Sequence, residues 1–357
     1  MGRAHRCIRV APLLALIAAG GLTAGCSGPD DIHRFEYGVM GTVARGEIYV
    51  WDRTETRSPA QLVQATFDSV DVSLSSWRDD SEVGRFNAAP AGTTLTASKW
   101  LSTCLRVSDE LREVSGGAFD PSAGPLMDLW GSYRRQGRLP TASELDSALA
   151  LLGGYAHDPF RRTLTKTRAG TRLDLGGIAK GFAVDRAVAN LIEFGTSSAL
   201  IDLGGNVFAL GLPEGRDAWR VGVRDPQDPG EILATFTMVN RAAATSGAYE
   251  RFVEIDGRRY GHVMNPATGR PAEGLLSATA VCRSATLADG LSTTLFVLGP
   301  DRAMRLLYEH YPHVDAILIV PAEEAATARI LATAGLEGNL SLRPEYRNRY
   351  ALEFLDF

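Results

Sequence analysis

A glycine-rich stretch from Asp174 to Asp185, DLGGIAKGFAVD, most constrains what this chain can fold into. The apolar residues after it recur at spacings of three and four, which predicts a helix buried on one face. The short alternating run before it, Thr171–Leu173, predicts a strand. Glycines at 176, 177 and 181 remove side chains where the backbone turns, so its N–H groups can approach an anion at the helix start. The pattern is typical of a strand, a glycine loop and a helix.

Lys180 lies in the first turn of this predicted helix, where the helix dipole disfavours a cation. Its placement therefore indicates a phosphate partner rather than helix stability. A tight turn with a solvated lysine is the alternative, because glycine-rich turns between strand and helix are common. The stretch matches neither GxxxxGK[ST] nor GxGxxG, and taken alone it leaves both interpretations open.

Residues 1–25 have the pattern of an export signal. Three arginines precede an apolar run at 11–22 that is too short to span a bilayer as a stable anchor. The run ends in LTAGC, which resembles the bacterial lipobox, in which Cys26 is acylated and becomes the new N-terminus; secretion with a free Cys26 is the alternative. We predict a signal peptide over 1–25, a lipidated cysteine and tether over 26–34, and one domain over 35–357.

The charge balance argues against a nucleic-acid partner. The sequence has 37 Lys and Arg residues and 42 Asp and Glu residues, and loss of residues 1–25 removes three arginines, which leaves 34 basic residues and a formal charge of −8. No basic stripe or run is present. We therefore expect no nucleic-acid binding.

Cys104 and Cys282 are the two cysteines that follow the lipobox. Each lies in an apolar segment. In an oxidising compartment they either pair or remain two buried thiols, and the sequence leaves both possibilities open. No CxxC or HExxH pattern supports a zinc site.

Short elements fill the rest of the chain. Period-two alternation predicts a strand pair around Gly41 and a hairpin at 198–211. Apolar residues at helical spacing predict helices at 99–114 and, after a Thr141 cap, up to residue 152. Strands outnumber clean βαβ units, and no repeat of about 20–50 residues is present. The predicted class is α+β, one large domain with mixed or antiparallel sheets and flanking helices.

Two segments, 74–87 and 116–131, are expected to be irregular over most of their length. The first is polar and is built around Trp77, which is either a lid on the core or a stacking surface for a planar ligand. The second contains glycines, prolines and a Phe-Asp-Pro triplet. Such a long irregular segment in a compact domain usually has a specific shape to hold.

Asp289 and Thr293 lie four residues apart on a predicted helix and project from the same face. Their oxygens are hard donors that suit Mg²⁺, whose coordination is completed by backbone carbonyls, water and a substrate phosphate. A capping or back-bonding pair is the alternative. His262 is likewise either a satisfied structural histidine or a group that accepts a proton from an attacking hydroxyl.

Together these pieces resemble one family, the ApbE family. The resemblance extends from about Phe35 to Gly299, and it implies that family's fold, a single large α+β domain. Its motifs occur in the order expected of that family: MGT from Met40, SSWRDDSEVGRFN, GGAFDPSAGPLMDLWG, DLGGIAKGFAVD, IDLGGN, ATSGAYER, HVMNPATGRP and ADGLSTTLFVLG.

Members of this family are bacterial lipoproteins that act as FAD:protein FMN transferases. The resemblance implies Mg²⁺-dependent cleavage of FAD at its pyrophosphate, transfer of FMN to a Thr or Ser hydroxyl of another protein as a phosphoester, and release of AMP. It implies acceptor subunits of Nqr- or Rnf-type redox complexes, or similar exported flavoproteins. A periplasmic FAD pyrophosphatase that gives FMN and AMP is one alternative, and a non-catalytic flavin-binding lipoprotein is another.

The resemblance also implies site residues. FAD-contacting positions are matched by Met40, Trp77, Ala118, Phe119, Asp120, Asp174, Lys180 and Val263. The metal position is matched by the backbone of Gly177 with the side chains of Asp289 and Thr293. His262 and Asp289 match the catalytic positions, with His262 assisting deprotonation of the acceptor hydroxyl. Some relatives have an acidic residue at the Lys180 position, so a strict need for its positive charge does not follow.

The resemblance places the protein on the extracytoplasmic face of a membrane, anchored by the lipid on Cys26. The family favours the inner membrane. Ser27 follows the lipidated cysteine in place of the aspartate that retains a lipoprotein there, which leaves the outer membrane open.

Overall fold

A computed structural model describes residues 31–50, 58–131, 138–322 and 328–356. No helix in these ranges is long and apolar enough to cross a membrane. The predicted signal peptide, Cys26 and the tether up to residue 30 lie outside the described residues. The first strand begins at Asp31, inside the range predicted as tether.

The helices lie where the apolar spacing and the caps of the sequence place them. Numbered in chain order, they are α1 (Pro59–Leu74), α2 (Glu82–Ala88), α3 (Lys99–Val114), α4 (Gly124–Leu129), α5 (Ala142–Leu149), α6 (Ala179–Glu193), α7 (Ala285–Leu298) and α8 (Pro300–His310). Thr141 caps α5 through a capping box with Glu144, in which the Thr141 hydroxyl accepts from the Glu144 N–H and the Glu144 carboxylate accepts from the Thr141 N–H.

A nine-stranded sheet of the described residues is the centre of the fold, and its order is β1-β2-β6-β7-β10-β15-β16-β17-β19. Neighbouring strands are antiparallel except the last pair, which is parallel. The strands are β1 (Asp31–Val39), β2 (Thr42–Val50), β6 (Ser198–Leu203), β7 (Asn206–Leu210), β10 (Arg241–Gly247), β15 (Ser277–Cys282), β16 (Asp315–Val320), β17 (Ala328–Thr333) and β19 (Tyr350–Leu355).

Four small sheets surround the large one. They are formed by β3 (Thr94–Thr96), β5 (Thr163–Lys166) and β4 (Tyr155–Asp158); by β18 (Ser341–Leu342), β9 (Ile232–Met238) and β8 (Trp219–Arg224); by β11 (Phe252–Ile255) and β12 (Arg258–Gly261); and by β13 (Met264–Asn265) and β14 (Arg270–Pro271). The mixed sheets with flanking helices confirm the predicted α+β class.

Both faces of the large sheet are buried, because alternate side chains of its strands enter different cores. Ile48 and Ala280 pack under the helices, together with residues of α1 and α7. Their neighbours Tyr49 and Val281 point the other way and pack under the sheet of β8, β9 and β18. Burial of one large side chain such as Phe236 stabilises the fold by roughly 1.5–3 kcal/mol. The domain therefore has three layers, with the large sheet in the middle.

One local expectation was wrong, and each of the two segments expected to be mostly irregular contains a short helix. Thr171–Leu173 forms no strand, only an isolated parallel bridge between Arg172 and Ala123. Helix α2 occupies the end of the segment 74–87, because the Ser81 hydroxyl accepts from the Gly84 N–H and caps it. Helix α4 occupies part of 116–131. Cys104 and Cys282 are two buried free thiols, the second of the two possibilities.

Candidate functional site

A cleft of about 1240 Å³ runs along one edge of the three layers. Its walls include every residue that the family resemblance implies for FAD, metal or catalysis: Met40, Trp77, Ala118, Phe119, Asp120, Asp174, Gly177, Lys180, His262, Val263, Asp289 and Thr293. These residues come from separate strands, helices and loops, so the fold brings them together. Their individual roles stay predictions.

The start of α6 packs directly against α7, and Gly181 makes this contact possible. A Cβ atom at this position would lie 2.1 Å from the Ala285 carbonyl oxygen and 2.7 Å from the Asp289 Cβ. The Gly181 N–H donates to Oδ2 of Asp289 at 2.9 Å. Gly181 is therefore needed for close helix packing and for holding the Asp289 carboxylate.

Asp185, the last residue of the glycine-rich stretch, anchors the beginning of α7. Its carboxylate accepts from the backbone N–H groups of Ala285 at 2.7 Å and Thr286 at 2.9 Å, and from the hydroxyls of Ser284 and Thr286. A carboxylate at a helix N-terminus also interacts favourably with the helix dipole. This anchor fixes the rotation of α7 and hence the direction in which Asp289 points.

Lys180 is partly buried, and it binds two oxygens of the protein itself. Its Nζ donates to the Gly176 carbonyl oxygen at 2.8 Å and to Oδ1 of Asp289 at 3.3 Å. The Gly176 N–H in turn donates to Oδ1 of Asp174 at 2.8 Å. Two glycine N–H groups that we expected to face a phosphate therefore bind carboxylates of the protein itself. Asp289 is only 3% exposed, and these hydrogen bonds offset the free-energy cost of burying its carboxylate.

The predicted Mg²⁺ donors Asp289, Thr293 and Gly177 lie together in the cleft. A Cβ atom on Gly177 would lie 3.1 Å from Thr293 Oγ1, so the Gly177 backbone and the Thr293 hydroxyl are neighbours. Ser246 Oγ lies 3.2 Å from Thr293 Oγ1 and orients that hydroxyl. Within the described ranges no group of three or more His, Cys, Asp or Glu side chains is placed to hold a metal. One carboxylate with neutral oxygens fits Mg²⁺, which usually keeps water and binds substrate phosphate.

His262 is held as a neutral base. Its Nδ1 lies 3.1 Å from the Arg251 carbonyl oxygen, and because a carbonyl only accepts, we assign the proton to Nδ1 and a free lone pair to Nε2. Desolvation in the cleft lowers the pKa of His262 to about 4, with the Arg251 and Lys180 charges acting in the same direction. The ring is therefore uncharged at neutral pH and has one nitrogen available to accept a proton.

Trp77, Asp174 and Asp120, which are predicted to contact FAD, lie in loops that line the cleft. Trp77 is 60% exposed, which rules out the core-lid interpretation and leaves the stacking one. Asp174 accepts from the Ser76 hydroxyl at 3.3 Å and so joins the Trp77 loop to the glycine loop. Asp120 accepts from Arg112 Nε at 3.0 Å and from the Ser122 N–H at 2.8 Å, so it also organises its own loop.

Met40 lies in the turn between β1 and β2 and has a positive φ of 51°. Arg251 Nη2 donates to the carbonyl oxygen of Gly41 at 2.8 Å, and its own carbonyl accepts from His262. This arginine thereby connects the Met40 turn to His262. Val263, the next residue, is buried.

The sequence analysis missed several residues of the site, among them Glu250 and Ser246. Both lie in the ATSGAYER motif, which was noted only as part of the family pattern. Desolvation raises the pKa of Glu250 to about 7, while Lys180 opposes the shift and Asp289 adds to it. No spacing rule marks these residues; Ser246, for example, reaches the site only because β10 packs against α7. The motif itself is the signal that would have found them.

Comparisons with known proteins agree with this geometry. The sequence pattern of the ApbE family matches residues 40–318. A FAD:protein FMN transferase from Treponema pallidum is 35% identical over 353 residues, which cover 92% of this chain and 94% of that protein. Among solved structures, a flavin transferase ApbE from Vibrio cholerae has a TM-score of 0.78 at 27% identity and covers 87% of this chain and 100% of its own. The apo form of a Pseudomonas stutzeri flavinyl transferase ApbE has a TM-score of 0.73 at 30% identity, over 84% and 94% of the two chains.

Proposed function

The chain belongs to the ApbE family, and we propose that it transfers FMN from FAD to a Thr or Ser hydroxyl of another protein, with Mg²⁺ bound and AMP released. It is an enzyme, a flavin transferase that acts on FAD. Its relatives are named as such enzymes. The acceptor hydroxyl, the metal and the leaving AMP are the parts that we propose.

One observation carries the proposal. Residues from separate motifs, from Met40 to Thr293, line one cleft in which the buried Asp289 carboxylate lies beside a glycine loop and a threonine hydroxyl. Phosphoryl transfer requires mainly positioning and neutralisation of charge. The cleft offers both, since Lys180 and the Gly181 N–H fix the carboxylate.

Asp289, Thr293 and the Gly177 carbonyl would hold the Mg²⁺. When bound, the ion neutralises pyrophosphate oxygens and stabilises the charge that develops on the departing phosphate. The residues of the chain have the remaining tasks. Asp185 and Gly181 keep α7 and its carboxylate in position. Trp77, at the mouth, offers a flat apolar surface to a ring of FAD.

His262 accepts the proton of the attacking hydroxyl at Nε2. The Nδ1–H bond to the Arg251 carbonyl holds the ring in the required tautomer and orientation. Since burial keeps the ring neutral at physiological pH, the lone pair is available without prior deprotonation. The negative charge of bound FAD would raise the pKa of His262 and make it a stronger base in the complex.

The partners follow from the same proposal. We expect the acceptor to be an exported or membrane-associated flavoprotein subunit, such as those of Nqr- or Rnf-type complexes. The lipid on Cys26 would hold the enzyme on the extracytoplasmic face of the membrane, where these acceptors are. The inner membrane is the expected one, and Ser27 keeps the outer membrane as the alternative.

The test uses the protein that begins after Cys26, FAD, Mg²⁺ and an exported flavoprotein domain with an acceptor Ser or Thr. A mass gain of one FMN on the acceptor with release of AMP, lost in EDTA, is the expected result. AMP and FMN without modified acceptor would replace the proposal with the FAD pyrophosphatase, and intact bound FAD would replace it with the flavin carrier. Asp289→Asn keeps the shape of the side chain and removes its charge, and it tests whether the transfer depends on this carboxylate as a metal ligand.

A further inference from the structure

The cleft continues beyond the residues predicted for FAD onto the opposite face of the large sheet. The end of β10 marks the passage, because Ser246 points toward α7 while its neighbour Thr245 points to the other face. Thr245 Oγ1 pairs there with Thr279 Oγ1 at 2.8 Å. We call this part of the cleft the second lobe, and define it by Arg45, Leu200, Asp202, Val207, Thr245, Thr279 and the strand β8.

Strand β8 forms one wall of the second lobe with its edge. It pairs with β9 alone, at the end of the order β18-β9-β8. All residues from Arg220 to Arg224 line the cleft, although alternate side chains point to opposite faces of the strand. Within the described ranges its backbone forms hydrogen bonds only with β9. The outer N–H and C=O groups of β8 thus face the lobe and are available to another extended chain.

The charges beside this edge favour an acidic partner. Arg220 and Arg224 are exposed, lie on the same face of β8, and form no ion pair with the part of the chain that the structure describes. Arg45 lies across the lobe and pairs with Glu36. Two carboxylates of the cleft, Asp202 and Glu250, interact with Arg224, and burial raises the pKa of each toward the neutral form. On the other face of β8, Val223 is buried in the core under the large sheet and Val221 packs against that core, so an added strand would extend this apolar face.

We propose that the acceptor protein docks by an extended segment that adds to the edge of β8, with acidic side chains toward Arg220 and Arg224 and apolar side chains toward Val221 and Val223. Residues directly opposite on paired strands interact, so acids at alternate positions of the segment would meet the arginines. The segment runs along the cleft toward His262, which brings the accepting hydroxyl to the pyrophosphate of FAD. This inference rests on the proposed function and names its partner's chemistry.

The first test measures binding without turnover. A fluorescein-labelled peptide that spans the modified Ser or Thr of the acceptor domain is titrated with the enzyme, and its anisotropy is recorded. Arg220→Glu should weaken binding about tenfold, and high salt should weaken it further. Arg302→Glu makes the same change of charge on α8, where the side chain is exposed outside the cleft, and is expected to bind like wild type.

The second test changes the ligand and leaves the fold of the enzyme untouched. Two versions of the peptide are methylated at the backbone nitrogens of alternate residues, one at the odd and one at the even positions. A strand added to one edge turns only alternate N–H groups toward its neighbour. One version should therefore lose about tenfold or more in affinity, while the other binds nearly as the parent does. Equal effects of both methylations would overturn the edge pairing.

Kinetics separate this inference from the proposed function. With the intact acceptor domain, Arg220→Glu should raise the KM for the acceptor about tenfold. An equal rise in the KM for FAD would indicate a disturbed cleft and would count against docking at β8. Wild-type enzyme that binds the peptide at β8 and transfers no FMN would refute the transferase and keep the docking site. If Arg220→Glu transfers FMN with an unchanged KM for the acceptor, the docking site is refuted and the transferase is kept.

Discussion

Replacing Gly181 by alanine tests whether the contact between α6 and α7 creates the site. Alanine favours a helix over glycine by about 1 kcal/mol. The new Cβ would, however, lie 2.1 Å from the Ala285 carbonyl oxygen and 2.7 Å from Asp289 Cβ. A carbonyl oxygen and a Cβ atom cannot move away without the backbone of their helix. The two helices must therefore separate by roughly 1 Å. Overpacking of this kind costs about 1–3 kcal/mol.

The same separation breaks the bond from the Gly181 N–H to the Asp289 carboxylate, which is 2.9 Å long. A hydrogen bond to a charged group contributes about 1.5–3 kcal/mol. Overpacking and the lost bond together outweigh the gain in helix propensity, and we expect a net loss of about 3 kcal/mol. The melting temperature should fall by roughly 5 °C. FMN transfer should fall by more than tenfold, because Asp289 no longer points where the metal and FAD require it.

Calorimetry and the mass assay for FMN transfer measure both effects. Gly38→Ala is the matched control, since the nearest atom to its new Cβ would be the Thr42 carbonyl oxygen at 3.9 Å and its φ is not positive. It should change stability by less than about 1 kcal/mol and leave transfer intact. Wild-type stability and transfer in Gly181→Ala would refute the reasoning, because the helix contact would then place no constraint on the carboxylate.

Three further predictions concern the base, the metal and the anchor. Burial lowers the pKa of His262 to about 4, so kcat/KM for FAD should fall only as the pH drops toward 4. His262→Gln should remove this decrease at low pH together with most of the transfer. A decrease centred at the ordinary histidine pKa of about 6.5 would contradict the assignment. Asp289→Asn should lower AMP release by about a hundredfold and shift its Mg²⁺ dependence to higher concentration, whereas an unchanged Mg²⁺ titration would exclude Asp289 as a ligand. Cys26→Ser in the full-length precursor should move the protein from the membrane to the soluble exported fraction, and retention in the membrane would argue against lipidation.

Local sequence rules located most elements of the fold. The helix predicted at 99–114 is α3, because one face of it is apolar at helical spacing and Ser98 caps its start. The hairpin predicted at 198–211 is β6 with β7, whose turn is made by Gly204 and Gly205, both with positive φ. These signals are contained in a few neighbouring residues, so they need no knowledge of tertiary structure.

The misses have two physical causes, a long-range contact and a local cap in a polar segment. Thr171–Leu173 alternates like a strand, yet the Leu173 N–H and C=O bind the Asn87 side chain instead of a neighbouring strand. Helix α2 was hidden in a polar segment because Arg78, Asp79 and Asp80 lie just before it and suggest a loop. The contact of Leu173 with Asn87 cannot be inferred from a window of adjacent residues, whereas the Ser81 cap of α2 is a local signal.

The sequence predicted which residues lie in the cleft, but it did not predict the hydrogen bonds between them. The predicted residues line one cleft, but the motifs gave no sign that Lys180 would bind Asp289 or that Nδ1 of His262 would bind the Arg251 carbonyl. The pKa values of His262 and Glu250 depend on burial by residues far away in the chain. Such properties follow only from packing.

The start of α6 shows why a divalent cation belongs to this proposal. A helix N-terminus attracts anions through its free N–H groups and its dipole. Here the Gly181 N–H, and in the loop before it the Gly176 N–H, already bind Asp289 and Asp174, which add negative charge where FAD would place its pyrophosphate. The positive charge of Lys180 offsets only part of that negative charge, because its Nζ already pairs with Asp289. Mg²⁺ held by Asp289 and Thr293 would offset this charge, so we expect FAD to bind more tightly with Mg²⁺ than in EDTA, in addition to the effect of the metal on transfer.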